Sequence, residues 1–450
     1  MLLLSSRTLP GAFMKLSSQP IHSALLSSRR TFGSHSKPQS KPLRILFCGS
    51  DTFSCDSLLS LHQELVHPTR KPPLVQSIDV LVRPPKPTGR GLKTLKPLPI
   101  SLLAEELSLP IHERDTFRGW DLPPHVNLII AVSFGLFVPP RILSQAEYGG
   151  LNVHPSLLPD LRGPAPIQHA ILNNYTGTGV SVQTLSPQAF DHGTVLSQTV
   201  APTFPNHAPP RFDDLRRDLS RAGAGLLLET LKSNLHVPPH VDTSSVGPGI
   251  PLIHAPKITR RDQQVDWLVG FPPSGARGQP LSPSARIDLQ YRALGALWTH
   301  IRTRPSAPSP QSKSKTKSKK LPEYVRLQLG GITAVESFEE ARHPTARNDD
   351  YGVLDWAQQD DEHGEFRIIP ARWVPAVVEG SIVVEIPSFN NLGHGDKRFT
   401  AIRINSMKIA GDTEKDAVNV ATKLSAGRES MTLVELRTLQ ATHIFGEPSK

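Results

Sequence analysis

Leu43-Arg-Ile-Leu-Phe-Cys-Gly-Ser-Asp-Thr-Phe53 is a short apolar run ending in a glycine turn, and an apolar-periodic segment follows it through Leu65. The run reads as a strand and the periodic segment as a helix. Working outward, Val75 to Val82 gives a second strand, Ile100 to Leu107 a helix, and Asn127 to Val132 a continuous apolar run suited to a buried parallel strand. Pro139-Pro140 opens another helix, since proline is tolerated in a first turn. Gly179 to Leu185 and Thr194 to Val200 read as further strands, and Phe212 to Leu235 as a long amphipathic helix with Leu215, Leu219, Leu226 and Leu231 on one side. Strands alternating with helices indicate an α/β domain over 42–235, a doubly wound and mostly parallel sheet with right-handed crossovers. Ligands of such sheets sit at the carboxyl ends of the strands. The turn at Gly49 lacks the glycine spacing of a dinucleotide fingerprint, so no nucleotide is expected there.

Residues 236–256 are rich in Pro, Gly and Ser and read as an interdomain linker. Beyond it short extended runs dominate. Tyr324 to Leu329, Trp373 to Val378, Ser381 to Ile386 and Phe399 to Ile404, with a turn signal at Glu379-Gly380, predict a small β-barrel-like domain over 257–425. Residues 302–320, from Arg302 to Lys320, hold seven basic residues and no acid among Ser and Pro, and read as a disordered insert. Residues 426–450 are a C-terminal tail.

A chain of 450 residues is too long for one ordinary core, so two domains are expected. A hydrophobic content of 38% with 44 Pro points to globular parts diluted by loops and tails. The two cysteines, Cys48 and Cys55, give neither a disulfide framework nor metal-ligand spacing; a reducing compartment and no metal are expected. No apolar run approaches the roughly 18 residues that cross a bilayer, so no membrane partner is expected. The first acidic residue is Asp51, and the preceding residues carry only Arg, Lys and His among Ser and Leu, as in a mitochondrial presequence. Arg29-Arg30-Thr31-Phe32 places its end near residue 32. Removing residues 1–32 takes away Arg7, Lys15, Arg29 and Arg30 and lowers the formal charge from +10 to +6, a balance that favours a polyanionic partner.

Three further stretches carry chemistry: Asn152-Val-His154, SLLPDLRGPAPIQ from Ser156 to Gln168, and Phe190-Asp191-His192-Gly193. An amide, an imidazole and a carboxylate around a Gly/Pro-rich loop suit a carbonyl-transfer centre: two donors for an oxygen that becomes negative, and one acceptor for a proton. A lone Asn or His ending a strand is more often a turn former or a satisfied core group. The three together, with a long loop that has no packing purpose, read as functional.

These stretches resemble the active-site signature of the folate-dependent formyltransferases, in particular those acting on methionyl-tRNA. The likeness runs from about Leu43 to about Gly411 and includes LFCGSDTF (Leu46 to Phe53), PTGRGLK (Pro87 to Lys93), AVSFGLFVPPRIL (Ala131 to Leu143) and APKITRRDQQVDW (Ala255 to Trp267). Asp160-Leu161 departs from it, standing where relatives usually carry a basic residue and an aromatic. The resemblance implies a Rossmann-like formyltransferase domain followed by an OB-like barrel that binds tRNA. It further implies formyl transfer from 10-formyltetrahydrofolate to the methionine amino group of initiator methionyl-tRNA, for translation initiation in the mitochondrial matrix, by a monomer. A small-amine formyltransferase and a non-catalytic RNA-binding protein on the same scaffold are the alternatives.

By that resemblance Asn152 and His154 serve as donors to the carbonyl oxygen and Asp191 as the proton-transfer group, which would also orient the imidazole. Phe134, Gly135 and Leu136 are expected to line the pteridine pocket. Ser156, Leu157, Leu158, Pro159, Arg162 and Gly163 are expected in the wall of the folate cleft, with glycine allowing close backbone approach. Arg83, Lys86, Arg90, Lys93 and Lys96 lie in a Pro/Gly-containing stretch without acids. They are expected to meet the tRNA phosphate backbone.

Overall fold

The computed structural model describes residues 39–425 apart from 89–90, 92–93, 201–203, 205–209, 246–251, 268–280, 304–322, 336–337, 346–351, 360–363 and 387–399. The expected presequence, the C-terminal tail and residues 304–320 of the basic insert lie outside the described residues.

The first part of the chain runs β1 (Leu43–Gly49), α1 (Thr52–Val66), β2 (Val75–Val82), β3 (Pro87–Thr88), β4 (Thr94–Leu95), α2 (Pro99–Glu106), β5 (Ile111–Glu113) and β6 (Leu128–Val132). It continues through α3 (Pro140–Leu143), β7 (Gly150–His154), α4 (Pro166–Leu172), β8 (Gly179–Thr184), β9 (Val195–Val200) and α5 (Phe212–Lys232). Seven strands form one sheet in the order β5-β2-β1-β6-β7-β8-β9, and β3 and β4 pair apart from it. Pairing is parallel from β5 to β7. It becomes antiparallel at β8 and β9, giving a mostly parallel sheet with an antiparallel edge.

The strand alternation explains the layers. Leu43, Ile45 and Phe47 of β1 enter one core with Leu128, Ile130 and Val132 of β6. Leu46 and Cys48 enter the opposite core with Ile129 and Ala131. Such strands are buried on both faces, which is why they read as unbroken apolar runs. Asp51 caps α1, its carboxylate accepting from the amides of Phe53 (3.1 Å) and Ser54 (3.2 Å). The GSDTF turn therefore starts a helix. Along α5 the buried row is Leu215, Leu219, Gly223, Leu227 and Leu231, so Leu227 rather than Leu226 occupies the buried centre. Gly223 lets the helix approach β7, since a Cβ there would lie 3.0 Å from the Val153 side chain.

The second part begins with α6 (Pro283–Leu294), a helix that the reading of short extended runs missed. There follow β10 (Leu297–Arg302), β11 (Tyr324–Gly330), β12 (Thr333–Val335), α7 (Phe338–Ala341), β13 (Gly352–Gln359) and β14 (Phe366–Pro375). The last elements are β15 (Ile382–Ile386), β16 (Thr400–Ile404), β17 (Ser406–Ile409), β18 (Lys415–Asp416) and α8 (Ala417–Ser425). All eight neighbouring pairs of the nine strands are antiparallel, in the order β12-β16-β15-β14-β13-β10-β11-β17-β18. β11 and β12 are successive in the chain, as are β16 and β17, and their pairings share one register: Leu329 faces Met407, Gly330 faces Ser406, and Thr333 faces Arg403. The two ends of the sheet are thus one bent ribbon, and the strands close into a barrel.

Leu297, Ile301, Leu327, Leu354, Trp356, Ile369, Val384 and Ile402 fill that barrel. Trp267 stacks on Trp356 with ring centroids 4.6 Å apart, and its indole N–H donates to Thr299 Oγ1 at 2.9 Å. Arg302 belongs to β10 and pairs with Asp355 at 3.1 Å, so it is part of the barrel rather than of an insert. The Thr303 amide donates to the Glu323 carbonyl at 2.7 Å and closes the hairpin behind the inserted residues.

The stretch expected as a free linker is bonded back to the first domain. Thr243 donates its amide to the Val195 carbonyl, and residues 253–255 pair with the loop after β7. The buried ring of His236 meets Ser40 Oγ at 2.9 Å and stands edge-on to Tyr148. Burial, aided by the Arg70 charge, lowers its pKa from 6.5 to about 4. A histidine whose folded pKa lies below its unfolded value stabilises the fold while neutral. That contribution is fully present above pH 6.5 and is lost as pH falls towards 4, up to roughly 3 kcal/mol. Denaturant unfolding of parent and His236→Gln at pH 7.5 and 4.5 is expected to show the parent losing roughly 2 kcal/mol more than the variant between the two pH values. An identical loss in both would assign the titration elsewhere.

Candidate active site

β7 runs beside β6, next to the point where the sheet order reverses between β1 and β6. This is where an open α/β sheet leaves a crevice at its carboxyl edge. Leu151 and Val153 turn into the main core, so Asn152 and His154 share the other face. Asn152 stands directly opposite Gln183 in the antiparallel pairing with β8. Asp191 lies in the connection from β8 to β9, in the left-handed region at φ 56°, which Asp adopts more readily than most residues. Two residues on, a Cβ on Gly193 would sit 1.7 Å from the Thr184 carbonyl oxygen, so this turn admits only glycine.

The fold brings Asn152, His154 and Asp191 together. Asp191 Oδ1 accepts from Asn152 Nδ2 at 3.2 Å and from Gln183 Nε2 at 3.3 Å, and lies 3.5 Å from His154 Nδ1. Oδ2 accepts from the Gly163 amide at 3.0 Å. The His154 and Asp191 side chains are 7% and 11% exposed, so little water competes for these contacts. Gln183 also accepts the Gly193 amide at 3.1 Å and thereby brackets the turn that carries Asp191. It was missed in the sequence, where its one mark is a long polar side chain in the strand Gly179–Thr184, buried up to Gln183 itself.

His154 is tied to the loop that follows β7. Its Nε2 lies 3.0 Å from the Leu161 carbonyl, which only accepts, so Nε2 carries a proton and donates there. Nδ1 alone remains, shared with Asp191, and the ring is oriented by the loop as well as by the carboxylate. Asn152 keeps a second amide hydrogen after Asp191 has taken one.

The loop from Ser156 to Gly163 departs further from expectation. Ser156 is fully buried: its hydroxyl donates to the Asp160 carbonyl at 2.7 Å, and its carbonyl accepts from Ser181 Oγ at 2.7 Å. Leu158 is buried too, with its amide on Ser181 Oγ and its carbonyl on Gln198 Nε2. Leu157 packs over Gly179. Ser156 and Leu158 thus shape the loop from inside, while Leu157, Pro159, Arg162 and Gly163 stay partly exposed. The Phe134 ring is buried against Phe117 with centroids 6.3 Å apart. Gly135 and Leu136 reach the surface beside it, and the exposed Phe190 meets Phe137 edge-on at 5.3 Å.

In the basic stretch, Lys86 and Lys96 are exposed on either side of the β3–β4 ribbon, and Arg83 is partly buried at the end of β2. Arg90 and Lys93 lie outside the described residues.

The formyl transferase family model matches residues 43–226, which include every side chain around Asp191. The mitochondrial methionyl-tRNA formyltransferase of Saccharomyces cerevisiae is 34% identical over 278 residues, covering 54% of this chain and 68% of the relative. The mitochondrial methionyl-tRNA formyltransferase of Bos taurus is 32% identical over 227 residues, covering 50% and 53%. That of Homo sapiens is 31% identical over 256 residues, covering 56% and 57%. The matches thus span between about half and two thirds of these relatives' lengths. With the matched region containing the whole Asp191 cluster, the chain belongs to the methionyl-tRNA formyltransferase family.

Proposed function

We propose that this chain transfers the formyl group of 10-formyltetrahydrofolate to the amino group of methionine on initiator methionyl-tRNA, in the mitochondrial matrix. The observation that carries the reading is the meeting of Asn152, His154 and Asp191 at one buried carboxylate, with Asp191 arriving from a separate loop. The mitochondrial names of the relatives and the acid-free segment before Asp51 support the compartment.

The folate supplies a formyl carbon already bonded to a nitrogen that leaves. As the methionine nitrogen bonds to that carbon, the carbon–folate nitrogen bond breaks, the amine loses one proton and the folate nitrogen gains one. Asn152 offers its remaining amide hydrogen to the oxygen that carries the developing charge. Asp191 accepts the amine proton and passes it to the departing folate nitrogen, with His154 Nδ1 3.5 Å from the same carboxylate. Leu161 and Gly163 hold this pair through backbone groups, so neither side chain has to reorganise during transfer.

The deciding assay is formyl transfer by the chain lacking residues 1–32, given the folate donor and either charged tRNA or small amines; turnover with the charged tRNA is expected. Asp191→Ala is expected to lower kcat by at least about 100-fold while the Kd for the tRNA changes less than about twofold. Equal activity of variant and parent would reject the proton-transfer role. Neutralising Lys86, Arg90 and Lys93 is expected to weaken tRNA binding and to reduce the slope of log K against log salt by about one for each phosphate that these cations no longer neutralise. A slope identical to the parent's would remove this stretch from the tRNA interface.

A further inference from the structure

The loop that offers the Leu161 carbonyl to His154 and the Gly163 amide to Asp191 is clamped from outside by the segment entering the second domain. The Leu161 amide donates to the Ile253 carbonyl at 2.8 Å, the Ala255 amide to the Arg162 carbonyl at 2.8 Å, and the Ala165 amide to the Ala255 carbonyl at 3.2 Å. Gly163 is pressed against this segment so closely that a Cβ would lie 2.4 Å from the Ala255 carbonyl oxygen. Leu161 is buried with φ at 56°, a conformation that a leucine keeps only where its surroundings over-determine it.

One buried side chain ties the clamp together. Asp160, 4% exposed, accepts the Ile253 amide on Oδ1 at 2.9 Å and the Tyr175 hydroxyl on Oδ2 at 2.8 Å. Leu161, Ala170, Tyr175 and Ala255 form a small core around it. The carboxylate is adjacent in the chain to the residue that orients His154, and three residues from the amide that anchors Asp191.

We propose that Asp160 is a positioning residue for the transfer reaction: by fastening Ile253–Ala255 to Tyr175 it sets where the Leu161 carbonyl and the Gly163 amide hold the His154–Asp191 pair. The entry to the second domain is then part of the frame of the site. The proposal rests on the roles given above to His154 and Asp191.

The test uses the chain lacking residues 1–32 with Asp160→Ala, Asp160→Asn and Tyr175→Phe, measuring kcat, KM for both substrates, the pH dependence of kcat, and amide hydrogen exchange over 161–165. Asp160→Ala is expected to lower kcat roughly 10- to 100-fold, with the folate KM within about twofold, a displaced kcat–pH profile and faster exchange. Asp160→Asn, which keeps an oxygen for Ile253, is expected to recover most of the loss. Tyr175→Phe is expected to lower kcat to an intermediate value and decides the matter if Asp160→Ala does not fold. Parental kcat and exchange in Asp160→Ala or, failing its folding, in Tyr175→Phe would overturn the proposal. So would a loss that follows thermal stability alone, with an unmoved pH profile and no rescue by asparagine. A parent chain that turns over no methionyl-tRNA would instead reject the functional reading, and hydrogen exchange would still report whether the clamp exists.

Discussion

The carboxylate of Asp191 is the constraint on which the site depends. It gathers Asn152 from β7, Gln183 from β8, the Gly163 amide from the loop after β7, and the facing His154. In a water-poor setting each of these donors would be left unpaired if the carboxylate moved, and an unsatisfied buried donor costs about 1–3 kcal/mol. The cluster therefore holds or fails as a unit. It also explains why Asp191 adopts a left-handed conformation and why Gly193 follows so closely: the turn is dictated by where the carboxyl group has to arrive.

The sheet delivers the remaining partners with little freedom. Period-two alternation gives Leu151 and Val153 to the core, and the same alternation turns Asn152 and His154 to the opposite face at the carboxyl edge. The approach of α5 through Gly223 seats β7 from behind. Core packing and the geometry around Asp191 are thus set by one register, since a slip of a single residue would exchange the two faces.

Much of this was legible in the residues. The apolar runs of β1, β2 and β6 showed the parallel core because buried strands have no polar face, and Asn152, His154 and Asp191, singled out together in the sequence, do meet in the fold. What stayed hidden depends on pairings that one sequence does not display. Gln183 becomes informative only once it stands opposite Asn152, and barrel closure needs the common register of the β11–β12 and β16–β17 arms. The Ile253–Ala255 segment was read as linker because its order comes from backbone bonds, which leave no side-chain pattern. Ser156 and Leu158 looked like cleft wall because a Gly/Pro-rich loop suggests exposure, yet bonds to Ser181 turn them inward. α6 was missed because its apolar positions serve two masses: Leu289 and Ala293 enter the core of the first domain, and Ile287 enters the barrel.

The Thr303–Glu323 backbone bond seals β10 and β11 at the rim before the intervening residues begin. Loop-closure entropy grows slowly with length, each doubling adding only about 0.6 kcal/mol. The barrel is therefore nearly indifferent to how many residues are spliced in at this rim.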